Sequence, residues 1–313
     1  MFTRKFTVAL AVAALMASAS LASAADIFWS AGNGNLGSVT LTGNSLIIDG
    51  NGGTVHTSNI WTSIGGTGNI IFTNGTIRPN YDKHANGINI IIDSGATFHA
   101  PNGWFVFGET PANIPVPMIL AGNGNFVGAN YYLAAGSTIS PNDIFTSADF
   151  VPGVGKMTFG KSDAVGYLLL QDGSFLNYSF GESTVCDVID TRCSDSRGGL
   201  IFVSAANANE IDWNAIITLN NISDDFAPGT YTYDLFYYDS ITNGIKDGLG
   251  FTKGDGRTIG TFRLGDGFVG AENVIIDAIG GKITLSFIVV PEPASLALLG
   301  LGAVGLLARR NRK

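Results

Sequence analysis

The chain has 313 residues, of which 42 are glycine, 45% are hydrophobic and only 13% are charged, and its formal net charge at pH 7 is −8. This length is sufficient for one domain with a sizeable core. The acidic balance argues against nucleic acid or anionic lipid as a partner and suits cations, neutral glycans or simple solubility. No metal and no cofactor are predicted.

The N-terminal segment, residues 1–24, has the three parts of a secretory signal peptide. Arg4 and Lys5 precede an apolar run, and the small residues Ala22 and Ala24 form the cleavage site. The apolar run is too short for a first membrane helix. The segment therefore predicts export through the Sec translocon.

The next segment, residues 25–181, repeats a short pattern in which an aliphatic run leads to a glycine, a small residue and a residue of buried type. The first two intervals between these glycines are 22 and 20 residues, the third is 41 residues and corresponds to two steps, and the fourth is 37 residues and contains a loop. A period in the low twenties is typical of one coil of a parallel β-solenoid. The glycines are Gly53, Gly75, Gly95, Gly136 and Gly173.

Stacked coils of this kind bury a continuous inward column, to which each coil contributes alternate side chains. Asp-Gly and Asn-Gly between apolar runs also signal hairpins, so the alternative fold is an antiparallel β-sandwich. A sandwich has no reason to keep a recurring period of this length. The predicted inward column consists of Val55, Ile77, Phe98, Ile139 and Phe175.

Four motifs in this region resemble the passenger β-helix of autotransporter-like proteins, although Asn142 stands where those repeats have glycine. The resemblance covers about half of the mature chain. It implies an all-β fold, a right-handed parallel β-helix that carries no catalytic signature of its own. The motifs are residues 121–126, 136–141, 152–159 and 168–175.

Residues 108–117 contain three prolines and predict a surface excursion, because proline cannot occupy a central strand. Trp104 and Phe105, just before it, are expected to cap this loop. Residues 182–199 are expected to interrupt the coils as a second loop. Two cysteines in that loop predict a disulfide between Cys186 and Cys193, as is usual in exported chains.

The same loop contains Asp187, Asp190 and Asp195, which could together bind Ca²⁺, although their spacing fits no known calcium loop. Residues 200–289 have longer strands and no glycine period, and we expect them to form a β-rich segment that covers the last edge of the stack. The aromatic strand of this segment, residues 230–238, is predicted to pack one face, with Tyr231 and Tyr233, into the core.

The C-terminal segment, residues 290–313, consists of Pro291-Glu292-Pro293, an apolar run at 294–308 and a basic cluster. The prolines end the folded region, and the run predicts a short transmembrane helix. Basic residues keep such a tail cytoplasmic. The cluster consists of Arg309, Arg310, Arg312 and Lys313.

This tail resembles the PEP-CTERM sorting signal of Gram-negative bacteria in all three parts and in order. The resemblance implies an inner-membrane-anchored precursor that an exosortase cuts at or near the motif, followed by placement at the cell surface or in the extracellular matrix. If Glu292 is retained when the two terminal segments are removed, the chain keeps 25 acidic but only 11 basic residues.

The favoured function is that of a non-catalytic surface or matrix protein associated with exopolysaccharide or biofilm. The alternative is a carbohydrate-active enzyme, such as a lyase or glycosidase, or a glycan-binding module on the same scaffold. The solenoid register aligns Asp49 with Asp93 two coils away, at a separation that suits an inverting pair. Two aspartates that turn corners are the simpler interpretation.

One further surface is predicted from the register. Three successive coils can be aligned on the pairs Thr54-Val55, Thr76-Ile77 and Thr97-Phe98. The residue that follows each pair then has the same outward position, and these residues are His56, Arg78 and His99. On an acidic protein they form a local column of potential positive charge, although a coincidence among solvent-facing residues is the simpler interpretation. Such a column would contact anionic glycans, more strongly in mildly acidic solution, where histidines gain charge.

Overall fold

The chain folds into β-strands, and no α-helix occurs in the residues that the structure describes. The structure is a computed structural model. It describes residues 26–30, 33–36, 41, 44–57, 68–79, 84–85, 87–100, 103–141, 144–145, 150–151, 154–160, 167–181, 184–192, 199–203, 216–223, 225–241, 250–252, 258–260 and 262–290.

Most strands are short, as expected for β-branched and aromatic runs separated by glycine, asparagine and aspartate. In chain order they are β1 (Ile27–Ser30), β2 (Gly34–Leu36), β3 (Ser45–Thr57), β4 (Asn69–Pro79), β5 (His84–Ala85), β6 (Asn89–Ile92), β7 (Ala96–His99), β8 (Trp104–Phe107), β9 (Ile119–Gly122), β10 (Asn125–Val127), β11 (Asn130–Leu133), β12 (Thr138–Pro141), β13 (Ile144–Phe145), β14 (Phe150–Val151), β15 (Lys156–Phe159), β16 (Tyr167–Gln171), β17 (Phe175–Tyr178), β18 (Val188–Asp190), β19 (Gly199–Val203), β20 (Ile217–Asn221), β21 (Gly229–Tyr237), β22 (Ser240–Ile241), β23 (Gly250–Thr252), β24 (Thr258–Gly260), β25 (Phe262–Leu264), β26 (Ala271–Ile279) and β27 (Lys282–Val289).

These strands stack in three parallel ladders. The first runs β1, β3, β4, β6, β9, β12, β17, β20 and β25. The second runs β2, β3, β4, β7, β10, β15, β18 and β21, because β3 and β4 each turn a corner and contribute to both. The third runs β5, β8, β11, β16, β19 and β22. This parallel pairing is that of a β-helix and not of an antiparallel sandwich; the handedness of the coil stays a prediction.

The inward column is confirmed for its first three members and extends further than predicted. Val55 pairs with Ile77 and Ile77 with Phe98 in the second ladder, and all three are fully buried. The column continues through Phe126 and Phe159, whose ring centroids are 4.7 Å apart. Aromatic rings from successive coils therefore fill the centre of the helix.

The other two predicted members were placed on the wrong ladder. Ile139 is buried, but it belongs to the first ladder, where it pairs with Leu176. Phe175 faces outward beside Thr138, so its predicted inward position is wrong. The reason is that Gly136 turns the corner from the third ladder to the first, a different corner from the one that Gly95 turns.

The predicted loop at residues 182–199 contains a coil strand. β18 pairs with β15 on one side and with β21 on the other, so the interpretation of this stretch as an interruption is wrong for Val188–Asp190. The coils then continue through β22 and β25, well into the predicted closing segment.

The stack ends in an antiparallel extension of the second ladder. β27 lies between β21 and β26 and pairs antiparallel with both, which covers the free edge of β21. In β21, Tyr233 and Leu235 are fully buried and Tyr231 packs against the core. The predicted inward face of this aromatic strand is thus confirmed.

Candidate functional site

The residues predicted to form a basic column do share a register. His56 pairs with Arg78, and the neighbouring pair of Ile77 with Phe98 sets Arg78 beside His99 in the next coil. Arg78 is exposed and both histidines are half-buried. The imidazole of His99 lies against the backbone of Gly128, where any side chain would collide with the ring. The column is a surface feature of the second ladder.

The predicted loop at residues 182–199 contains the two cysteines expected to form a disulfide. Cys186 is a buried free thiol whose Sγ lies 3.0 Å from the carbonyl oxygen of Asp187. Burial, followed by the negative charges of Asp187 and Asp234, raises the pKa of this thiol. Since Cys186 is a free thiol in the structure, the predicted disulfide is not formed there; its partner Cys193 lies outside the described residues.

The aspartate carboxylates that are described are already occupied. Asp187 accepts hydrogen bonds from the backbone amides of Gly155 and Ser179 at 2.8 and 2.6 Å. Asp190 accepts two hydrogen bonds from the guanidinium of Arg192, at 2.8 and 2.6 Å, and a third from the backbone amide of Arg192 at 3.2 Å. Burial acts to raise the pKa of Asp190, but the hydrogen bonds and charge of Arg192 hold it below its usual range. Among the described residues no cluster of three or more metal-ligating side chains occurs.

A pocket that combines aromatic and polar walls lies on the outer face of the third ladder. It arises from the alternation of three strands. In β8, β11 and β16 the inward side chains are Phe, Tyr and Leu, as expected for the core, but each strand also carries large apolar or aromatic residues on its outward face. The outward residues Val106, Tyr132, Leu169 and Ile201 align in register and, with Ala134, form a separate apolar cluster outside the core.

The excursion predicted at residues 108–117 forms one wall of this pocket. It folds back on itself through a bridge between Glu109 and Pro115. A turn at its tip is fixed by hydrogen bonds of 3.0 Å from the Thr110 amide to the Ile114 carbonyl and of 2.9 Å from the Asn113 amide to the Thr110 carbonyl. The tip is exposed, as predicted. Asn113 tolerates its left-handed φ of 58° because its short polar side chain can support that conformation.

The pocket has a volume of about 150 Å³. Trp104 lines it and is 44% exposed, whereas Phe105 is fully buried in the core, so the two residues expected to cap the loop divide between the surface and the interior. The complete lining consists of His84, Trp104, Val106, Glu109, Asn113, Tyr132 and Leu169.

Two polar residues of the pocket, His84 and Glu109, contact each other in its wall. Nδ1 of His84 lies 3.2 Å from the backbone carbonyl oxygen of Glu109. A carbonyl only accepts, so Nδ1 carries a proton and donates it to this oxygen. Burial raises the pKa of the Glu109 carboxyl, while the charge of His84 acts in the opposite direction.

Tyr132 is the unusual member of this wall. Its side chain is 3% exposed, yet no group of the described residues hydrogen-bonds its hydroxyl. Burial and the nearby Glu109 raise the pKa of the phenol far above its ordinary value, so it stays protonated. A buried hydroxyl without a partner is uncommon and costs folding free energy.

This pocket was not predicted from the sequence. A usable signal was present, because the motifs Trp104–Phe107, Asn130–Leu133 and Tyr167–Gln171 carry large apolar residues at outward as well as inward positions. A strand that is apolar on both faces needs a second cover or a ligand.

The last strand ends at Val289, and the segment that follows carries its own signature. Residues 289–313 match the PEP-CTERM protein-sorting motif. As predicted, the tail is thus a sorting signal, and the match supports processing by an exosortase and export across a membrane. The match covers only this segment. No curated protein and no solved structure matches the chain.

The two membrane-directed segments of the prediction are outside the part of the chain that the structure describes. These are the signal peptide at residues 1–24 and the apolar run at 294–308. Within the described ranges, no helix is long and apolar enough to cross a membrane.

Proposed function

We propose that this protein is a non-catalytic surface or extracellular-matrix component of a Gram-negative bacterium, exported through the Sec translocon and processed by an exosortase at Pro291-Glu292-Pro293. The observation that carries the proposal is the position of the sorting motif, which begins at the last residue of β27. Val289 pairs with Gly229 and with Ala271. Cleavage after this point would leave all the described strands of the solenoid in place.

The composition of the exported part supports an extracellular role. Counted with Glu292, it keeps 25 acidic and 11 basic residues, a balance that gives solubility and repels anionic membrane surfaces. Asp49 and Asp93 favour the non-catalytic interpretation, because each accepts a hydrogen bond from a nearby backbone amide, that of Asn51 at 2.8 Å and that of Ser94 at 2.6 Å. These are the contacts of aspartates that shape turns.

The proposal is tested by deletion of residues 290–313. We expect the solenoid to be released into the periplasm or the medium with its β-sheet circular dichroism unchanged, because β27 and its partners are intact. Replacement of Pro291 and Pro293 by alanine is the matched control. This variant keeps the apolar run and the basic cluster, so it should stay in the membrane fraction without being cleaved. Unchanged membrane retention of the deletion variant would contradict the proposal.

A further inference from the structure

We propose that the pocket on the third ladder binds one neutral pyranose ring, such as the terminal or branch unit of a glycan. The aromatic walls are Trp104 and Tyr132, and the polar rim is formed by His84, Glu109 and Asn113. The inference goes beyond the proposed export and sorting and does not depend on them.

The shape of the pocket restricts the size of its ligand. A volume of about 150 Å³ admits a single six-membered ring and not a stretch of polymer. Pockets for small molecules combine apolar and aromatic walls with a few placed polar groups. A pyranose has the matching surface, because one face presents C–H groups that pack on an aromatic ring and its edge presents hydroxyls.

The hydrogen-bonding groups favour a ligand that carries hydroxyls. Tyr132 offers an unused donor and acceptor in a buried position, and Nε2 of His84 offers a second ring nitrogen for hydrogen bonding. The hydroxyls of a sugar can hydrogen-bond to all of these groups, because each hydroxyl both donates and accepts. An apolar side chain of a partner protein would leave the Tyr132 hydroxyl unpaired and would gain nothing from the polar rim.

The charge of the lining argues against an anionic ligand. No lysine or arginine is among the seven lining residues, and the carboxyl of Glu109 would repel a uronate. The pocket is thereby distinct from the column of His56, Arg78 and His99, which would favour anions. Glu109 is the only carboxyl group in the lining, whereas glycoside hydrolysis ordinarily needs two. We therefore assign binding and no catalytic step.

The test uses the full chain, solubilised in a detergent that has no sugar headgroup. Binding of the methyl glycosides of glucose, galactose and mannose, of glucosamine and of glucuronate is measured by calorimetry or by ligand-observed NMR. We expect at least one neutral glycoside to bind with a millimolar dissociation constant. Trp104→Ala should weaken this binding roughly tenfold, the usual size for the loss of an aromatic anchor.

Two conservative variants separate the proposal from its alternatives. Tyr132→Phe should weaken binding without lowering the melting temperature, because the hydroxyl has no partner in the free protein. Glu109→Gln should preserve binding, since a neutral amide still serves a neutral ligand. Phe28→Ala removes an aromatic ring that is 74% exposed in the first coil, away from the pocket, and serves as the control.

The outcomes that would overturn the proposal are distinct from one another. Binding of glucosamine alone, lost in Glu109→Gln, would identify a cation site. Preference for glucuronate, or binding unaffected by Trp104→Ala, would place the ligand elsewhere. If none of the neutral glycosides bound even at concentrations well above millimolar, the pocket would not be a site for a neutral pyranose. None of these results bears on the sorting of the chain, which is measured by cell fractionation.

Discussion

Removal of the Phe126 ring should be among the most damaging single changes in this protein. The ring is fully buried, and its centroid lies 4.7 Å from that of Phe159, 5.6 Å from Tyr131 and 5.7 Å from Phe98. Loss of a buried Phe side chain costs about 1.5–3 kcal/mol in transfer free energy, and each aromatic pair adds about 0.5–1.5 kcal/mol. Phe126→Ala should therefore lower the free energy of unfolding by about 4–5 kcal/mol, the upper end of the range for such substitutions.

Urea denaturation followed by circular dichroism measures this loss. With a slope of about 3 kcal/mol/M, the midpoint should fall by roughly 1.5 M. Asn125→Ala, the exposed neighbour in the same strand, is the control and should change the free energy of unfolding by less than about 0.5 kcal/mol.

The site of the damage should also be local. Each coil contacts only its neighbours, so hydrogen exchange should accelerate mainly in the coils that contain β7, β10 and β15. Equal losses in Phe126→Ala and Asn125→Ala, or a loss below about 1 kcal/mol in the first, would show that the aromatic column is not packed as described.

Two further substitutions, one of them with a matched glycine control, test a corner of the coil and the ion pairs of the buried carboxylate of Asp190. Gly122→Ala should destabilise the fold by more than about 2 kcal/mol, because φ is +98° and the new Cβ would collide with a backbone carbonyl of the preceding coil. The control is Gly95→Ala, at φ +83° with open space around it, which should cost only about 1 kcal/mol. Thermal unfolding of both variants measures the difference. Asp190→Asn should lower the free energy of unfolding by about 1–3 kcal/mol at pH 7. Because the folded-state pKa of Asp190 is lowered, its contribution is present above the unfolded pKa and lost as pH falls through the folded value, so the gap between variant and parent should close in acid. A gap that stays constant from neutral pH to about pH 2 would contradict this assignment.

The sequence predicted the parallel coils where the repeat was regular. Val55, Ile77 and Phe98 could be aligned because the first coils have nearly equal lengths and turn the same corner with glycine or asparagine. Ile139 and Phe175 could not, because glycines at two different corners of a three-sided coil look alike in one dimension. The β18 strand was missed because two cysteines and several aspartates gave its surroundings the composition of a loop.

The sorting motif and the pocket differ in how sequence encodes them. The motif is contiguous, so its three parts could be recognised in order and the match confirmed them. The pocket brings together Trp104, Tyr132 and Leu169 from three coils whose connecting loops differ in length. Only the register of the third ladder shows that these outward residues are neighbours, and no spacing rule in the sequence gives that register.

The antiparallel end of the solenoid has a mechanical consequence for a chain held by its C-terminal tail. Tension on the tail enters at Val289 and runs along β27, which is bonded on one side to β21 and on the other to β26. A pull along the strand loads many ladder hydrogen bonds together, in shear, whereas a pull across a free edge strand would break them one at a time. The attachment point is therefore the part of the stack best able to resist drag, and forced unfolding should begin in coils remote from it.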